Sequence, residues 1–89
     1  MARRSQLDIV FDMLVACQKK GGSILPTHML YKANLSHKQM QKYVSDLEEK
    51  GFLVREDSDG SEVFSITSKG DLYVRKIREM REFEDTFDV

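Results

Sequence analysis

Three helical segments, a short hairpin and a longer fourth helix follow one another along these 89 residues. That order predicts a mainly α fold with a small β-hairpin: a winged helix-turn-helix of three helices plus wing, extended by a long C-terminal helix. Two observations carry the prediction. Ser5-Gln6-Leu7-Asp8 and Ser36-His37-Lys38-Gln39 are capping-box patterns, each opening an apolar stripe at helical spacing. The polar turn run Asp57-Ser58-Asp59-Gly60 lies between two short apolar stretches, as a hairpin requires.

The first helix is expected from Ser5, with Leu7, Val10, Leu14 and Cys17 on one face and Met13 alongside, and it stops at Gly21-Gly22. Lys19 and Lys20 fall in its last turn, where cations are favoured. Gly21 to Leu25 is a connector with room for a short extended piece at Ser23–Leu25. The second helix starts around Pro26, with Thr27 expected as N-cap, and runs to about Ala33. Asn34-Leu35-Ser36 is the turn, with Asn34 suited to the left-handed conformation that ends a helix.

The third helix opens at Ser36, with Leu35 and Met40 placed as a hydrophobic staple, and closes at Gly51. Met40, Tyr43, Val44 and Leu47 form its buried stripe. The hairpin strands are Phe52–Glu56 and Ser61–Thr67. Thr67 or Ser68 caps a last helix from about Lys69 to Thr86, which Gly70 weakens slightly in its first turn. Residues 1–68 thus make the winged-helix domain, and residues 69–89 add a C-terminal dimerisation helix to it.

Composition is that of a soluble globular protein, 40% hydrophobic and 33% charged, and no apolar run approaches the length of a membrane span. Asp8 and Asp12 interrupt the apolar stretch near the N-terminus, which does not fit a secretory signal. The single Cys17 precludes an internal disulfide and reads as a small core hydrophobe, so a cytoplasmic, reducing setting is expected. No phosphate-loop, nucleophile-elbow or zinc-protease motif is present, and His28, His37 and Cys17 make no ligand set. The expectation is therefore no enzyme, no metal, no cofactor and no small-molecule ligand.

Net charge is −1, but its distribution is uneven. Residues 1–50 hold eight Lys/Arg against five Asp/Glu, whereas residues 51–89 hold six against ten. The third helix carries its charges against the macrodipole, with His37 and Lys38 at its start and Glu48 and Glu49 near its end. Each such misplacement costs roughly 0.3–1 kcal/mol at an exposed site. With the Met40–Val44–Leu47 stripe inward, Lys38, Lys42, Ser45 and Glu49 point outward and Gln41 sits beside them.

Double-stranded DNA is the partner this face suits. Lys38 and Lys42 can reach phosphates or guanine edges, Gln41 can pair with adenine, Ser45 is adaptable, and His37 can add a phosphate contact. Arg3 and Arg4 are candidates for a basic arm, and Arg55 is the one base of an otherwise acidic wing bearing Glu56, Asp57, Asp59 and Glu62. That acidity favours the alternative, a winged-helix protein–protein interaction module without DNA binding. On the last helix, Tyr73, Ile77, Met80, Glu84 and Phe87 follow a heptad seam that Phe83 widens, while Leu72 and Val74 are assigned to the domain's own core. Arg75, Lys76, Arg78 and Arg81 precede Glu82, Glu84, Asp85 and Asp88, so two such helices attract when antiparallel. A homodimer through this helix is the expectation.

The string Thr27-His28-Met29-Leu30-Tyr31-Lys32-Ala33-Asn34-Leu35-Ser36, with Gln39, Met40, Tyr43, Leu47 and Gly51-Phe52-Leu53 after it, resembles a family of small archaeal winged-helix proteins. So do Ile66-Thr67-Ser68-Lys69-Gly70 and the long final helix. The resemblance covers almost the whole chain. It implies a winged-helix fold and DNA-binding members, regulators or chromatin-like proteins, that dimerise through an antiparallel C-terminal helix pair. By position it places Lys38, Gln41, Lys42 and Ser45 on the recognition helix. His37 stands where many relatives would carry an aromatic, and the acidic wing and tail depart from a chromatin-coating pattern.

Overall fold

Each of the first three helices ends in the same way, and those stops set the layout. The computed structural model describes residues 4–87, with side chains through Thr86. Helix α1 spans Gln6–Lys19, α2 Pro26–Lys32 and α3 His37–Glu49. After each, the second residue past the C-cap donates its amide to a carbonyl five residues back: Gly22 to Cys17, Leu35 to Leu30, and Phe52 to Leu47. These are Schellman closures. They need a left-handed residue just past the cap, and Gly21 (φ 83°), Asn34 (φ 53°) and Gly51 (φ 82°) supply it.

Helix starts follow the predicted chemistry at α1 and α3. Ser5 and Asp8 form a reciprocal capping box, as do Ser36 and Gln39. Helix α2 differs from expectation. Its N-cap position is Leu25, which makes no side-chain cap bond, and Pro26 takes the first helical position, so Thr27 lies inside the helix and caps nothing.

Strand β1 (Ser23–Ile24) pairs antiparallel with β3 (Ser61–Ile66), and β3 pairs antiparallel with β2 (Leu53–Ser58), giving the order β1-β3-β2. The short extended piece after α1 is thus a third strand, tied also by the Ser23 and Ser65 hydroxyls at 2.7 Å. The hairpin loop is only Asp59-Gly60, with φ of 51° and 81°, the positive pair that a two-residue turn demands. Of β2 only Leu53 is buried, so the wing is largely solvated.

Helix α4 spans Ser68–Phe87. Thr67 caps it by accepting from the Gly70 amide while donating to the Gly51 carbonyl. The core gathers Met13, Leu14 and Cys17 of α1, Met29 of α2, Met40, Val44 and Leu47 of α3, and Leu53, Phe64 and Val74. Burying each of the large apolar side chains contributes about 1.5–3 kcal/mol. Cys17 behaves as such a hydrophobe. Burial pushes its thiol up to about 12, which keeps it unreactive.

Helix α4 turns a different side to its own chain than the heptad reading assigned. Ile77 is 3% exposed and Tyr73 is half-buried, stacked on Phe52 with ring centroids 4.4 Å apart. Both are occupied inside the chain, which removes Ile77 from any open seam. Leu72, assigned to the core, is instead 49% exposed. Met80 (44%), Phe83 (64%) and Glu84 are exposed. The side chain of Phe87 lies outside the described residues.

Candidate nucleic-acid interface

Helix α3 buries Met40, Val44 and Leu47 at 3%, 1% and 2% exposure, which fixes its rotation. His37, Lys38, Gln41, Lys42 and Ser45 are consequently all exposed. Among the described residues neither Lys38 nor Lys42 is held in an ion pair, and the Lys42 ammonium lies 5.9 Å from the Tyr43 ring centroid. Spacings such as Lys42–Asp46 do not close into bridges. Both ammonium groups are therefore open to an anion.

The acidic end of α3 has an internal partner. Glu48 accepts a hydrogen bond from the Arg55 Nε at 2.9 Å, and Arg55 also reaches Glu62 at 3.3 Å. The Arg55 guanidinium lies 5.7 Å from the Phe64 ring centroid. Arg55, proposed from sequence as the wing's contact to DNA, is thus committed to bracing the wing against α3. A carboxylate at each side neutralises it. With Glu56, Asp57, Asp59 and Glu62 exposed, the wing presents acid, not base.

Arg4 is also not a free arm. It donates to the carbonyls of Ala33 (2.6 Å) and Asn34 (2.8 Å) and to the Asp12 carboxylate (3.1 Å). The predicted role of Arg3 lies outside the described residues.

Helix α2 contributes a face that sequence reasoning missed. Met29 is buried, whereas Thr27, His28, Tyr31 and Lys32 are exposed, Tyr31 84% so, with Thr27 and Tyr31 on the side opposite Met29. The signal was available: between Asp12 and Asp46 the chain contains no Asp or Glu at all, but five lysines and two histidines. Helix α2 and the first nine residues of α3 are therefore clad in donors and cations, and the next acids along the chain are Asp46, Glu48 and Glu49 at the far end of α3.

Among the described residues no group of three or more His, Cys, Asp or Glu side chains is placed to hold a metal ion, and no helix is long and apolar enough to cross a membrane. The three helices, the turn between α2 and α3, and the β2–β3 wing define a winged helix-turn-helix protein.

The winged helix-turn-helix family profile matches residues 3–85, and the chain belongs to that family. No curated protein sequence matches it. Among solved structures, the chain is similar to Sso10a-2, a DNA-binding protein from Sulfolobus solfataricus: TM-score 0.80, 26% identity, covering 93% of this chain and 84% of that one. The transcriptional regulator BldR, also from Sulfolobus solfataricus, matches with TM-score 0.75 and 20% identity over 91% of this chain and 61% of that one. A MarR family protein from Bacillus stearothermophilus matches with TM-score 0.75 and 15% identity over 98% and 61%. This chain thus spans less than two thirds of those last two proteins, and the likeness to them is one of fold.

Proposed function

We propose that this protein is a dimeric, DNA-binding transcriptional regulator that places α3 in the major groove. The observation that carries the reading is the exposed Lys38–Lys42 face on the second helix of the turn motif, in no ion pair among the described residues and flanked by the acid-free face of α2. A recognition helix presents its N-terminal half to base edges, and Lys38, Gln41, Lys42 and Ser45 occupy that half and the turn after it. On this reading, His37 and the exposed α2 side chains Thr27, His28, Tyr31 and Lys32 meet phosphates on either side. The DNA-binding character of Sso10a-2 and the regulatory role of BldR support the same reading.

The dimer forms along a stripe rotated from the heptad seam. At about 100° per residue, Leu72 and Phe83 lie within about 20° of each other on α4 and Met80 about 80° from Leu72, with Val74 on the far side. The charge order of α4 favours antiparallel pairing, which brings Leu72 of one copy toward Phe83 of the other. Leu72→Glu combined with Met80→Glu is expected to convert the dimer to a folded monomer, read as a halved mass in light scattering with unchanged far-ultraviolet circular dichroism. A dimer that survives both changes would place the interface elsewhere.

The acidic wing favours a second reading, a protein-interaction module built on the same fold. Titration of random and selected duplexes at two salt concentrations, with light scattering for mass, separates the two. Salt-sensitive binding by a dimer supports the regulator. A folded dimer indifferent to every duplex supports the module.

A further inference from the structure

We propose that Arg4 is a positioning residue: held by Asp12, its guanidinium fixes the turn between α2 and α3 and so sets how the recognition face is presented. The functional half of the proposal rests on the DNA-binding reading above. The geometry stands without it.

Helix α2 is only seven residues long and must stop at once so that α3 can begin at His37. The Schellman closure at its end uses the carbonyls of Leu30 and Tyr31, which accept from Leu35 and Asn34. That leaves the carbonyls of the cap residue Ala33 and of the left-handed Asn34 to find donors elsewhere. Arg4 supplies both, Nη1 to Ala33 at 2.6 Å and Nη2 to Asn34 at 2.8 Å. One planar fork spans two successive carbonyls, and Nη1 also reaches Asp12 at 3.1 Å.

The clamp therefore joins the start of α1 to a turn 29 positions further along the sequence. Asp8, one helical turn before Asp12, makes the matching connection on the other side. It accepts from Arg81 of α4 at 2.6 Å, with the Arg81 guanidinium 4.3 Å from the Phe11 ring centroid. The Ser5 backbone amide, then the Ser5 hydroxyl, Arg81 and Arg4 hold the Asp8 carboxyl below the usual carboxylate range. Two acids on one face of α1 thus tie the recognition turn and the last helix to a common frame.

The Arg4 and Asp12 side chains remain 35% and 43% exposed. Exposed pairs contribute little to global stability, so loss of the clamp should act on the turn and not on the fold. A lysine keeps the charge but has no planar fork, which separates clamping from simple attraction to phosphate.

The test compares wild type with Arg4→Gln, Arg4→Lys and Asp12→Asn by thermal melting, amide hydrogen exchange and duplex titration over a salt series. Arg4→Gln and Arg4→Lys are both expected to keep the wild-type melting midpoint within a few degrees. Both should speed exchange of the Asn34 and Leu35 amides about tenfold. Both should weaken duplex binding several-fold with an unchanged slope of log affinity on log salt, and Asp12→Asn should show the same changes in smaller measure. Wild-type protection of Asn34 and Leu35 in Arg4→Gln would overturn the clamp. So would full rescue by lysine together with a slope lowered by about one in Arg4→Gln, since that is the signature of a phosphate contact. If wild-type protein ignores duplex DNA, the regulator reading fails, and the exchange rates still decide the clamp.

Discussion

Replacing Gly70 with alanine is expected to lower the melting midpoint by about 10 °C. A Cβ at Gly70 would sit 2.5 Å from the Phe52 carbonyl oxygen and 2.7 Å from Ile66 Cγ1. The first of these atoms is backbone, at the foot of the wing, and cannot swing aside. Alanine would gain up to about 1 kcal/mol in helix propensity over glycine. Overpacking of this kind typically costs about 1–3 kcal/mol and sometimes more, so the steric loss wins. A fixed backbone oxygen at 2.5 Å puts the cost at the upper end of that range, and a net loss of about 2 kcal/mol gives the stated shift at roughly 4–8 °C per kcal/mol for a domain of this size. Calorimetry or circular dichroism melts check it. A midpoint that rises by a few degrees would mean that α4 does not approach the wing base so closely.

Alanine at both Lys38 and Lys42 is expected to flatten the salt dependence of duplex binding while leaving the fold intact. Removing one lysine–phosphate interaction lowers the slope of log affinity on log salt by about 0.9, so the pair removes close to two units if both reach the backbone. Both side chains are exposed and in no ion pair among the described residues, so truncating them breaks no salt bridge described there. A competing effect runs the other way. Lys38 lies at a helix start, where a cation is unfavourable by roughly 0.3–1 kcal/mol, so the variant should melt no lower than wild type. Titrations at several salt concentrations measure the slope. An unchanged slope would take both lysines out of the interface.

The local chemistry of the chain was legible because it depends on near neighbours. Ser5 with Asp8, Ser36 with Gln39, and the left-handed Asn34 are signals confined to a few residues, and each appears in the structure in its expected role. The inward stripe of α3 followed from periodicity, and the exposure of Lys38, Gln41, Lys42 and Ser45 followed from the stripe. What was not legible depends on residues far apart. Arg4 read as part of a loose terminus because nothing local shows that it meets Ala33 and Asn34. Arg55 read as a free base because its partners, Glu48 and Glu62, each lie seven positions away on another element.

The α4 seam shows the same limit. A heptad pattern says which residues share a helix face, but not which face the chain's own α1 already covers. Burial of Ile77 and exposure of Leu72 rotate the open side away from the heptad reading. Gly70 read only as a weak spot in a helix, because the close approach of Phe52 and Ile66 is a tertiary fact. The acid-free interval from Met13 to Ser45, by contrast, was in plain view, and it takes in the second half of α1, all of α2 and α3 up to Ser45.

The face that meets the polyanion can be read directly by recording amide shifts of isotope-labelled protein as a short duplex is added. The largest changes are expected over His37–Lys42 and on α2 at Thr27, His28, Tyr31 and Lys32, with the Asp59-Gly60 tip nearly silent. Changes concentrated in the wing tip or along α4, with α3 undisturbed, would contradict the account.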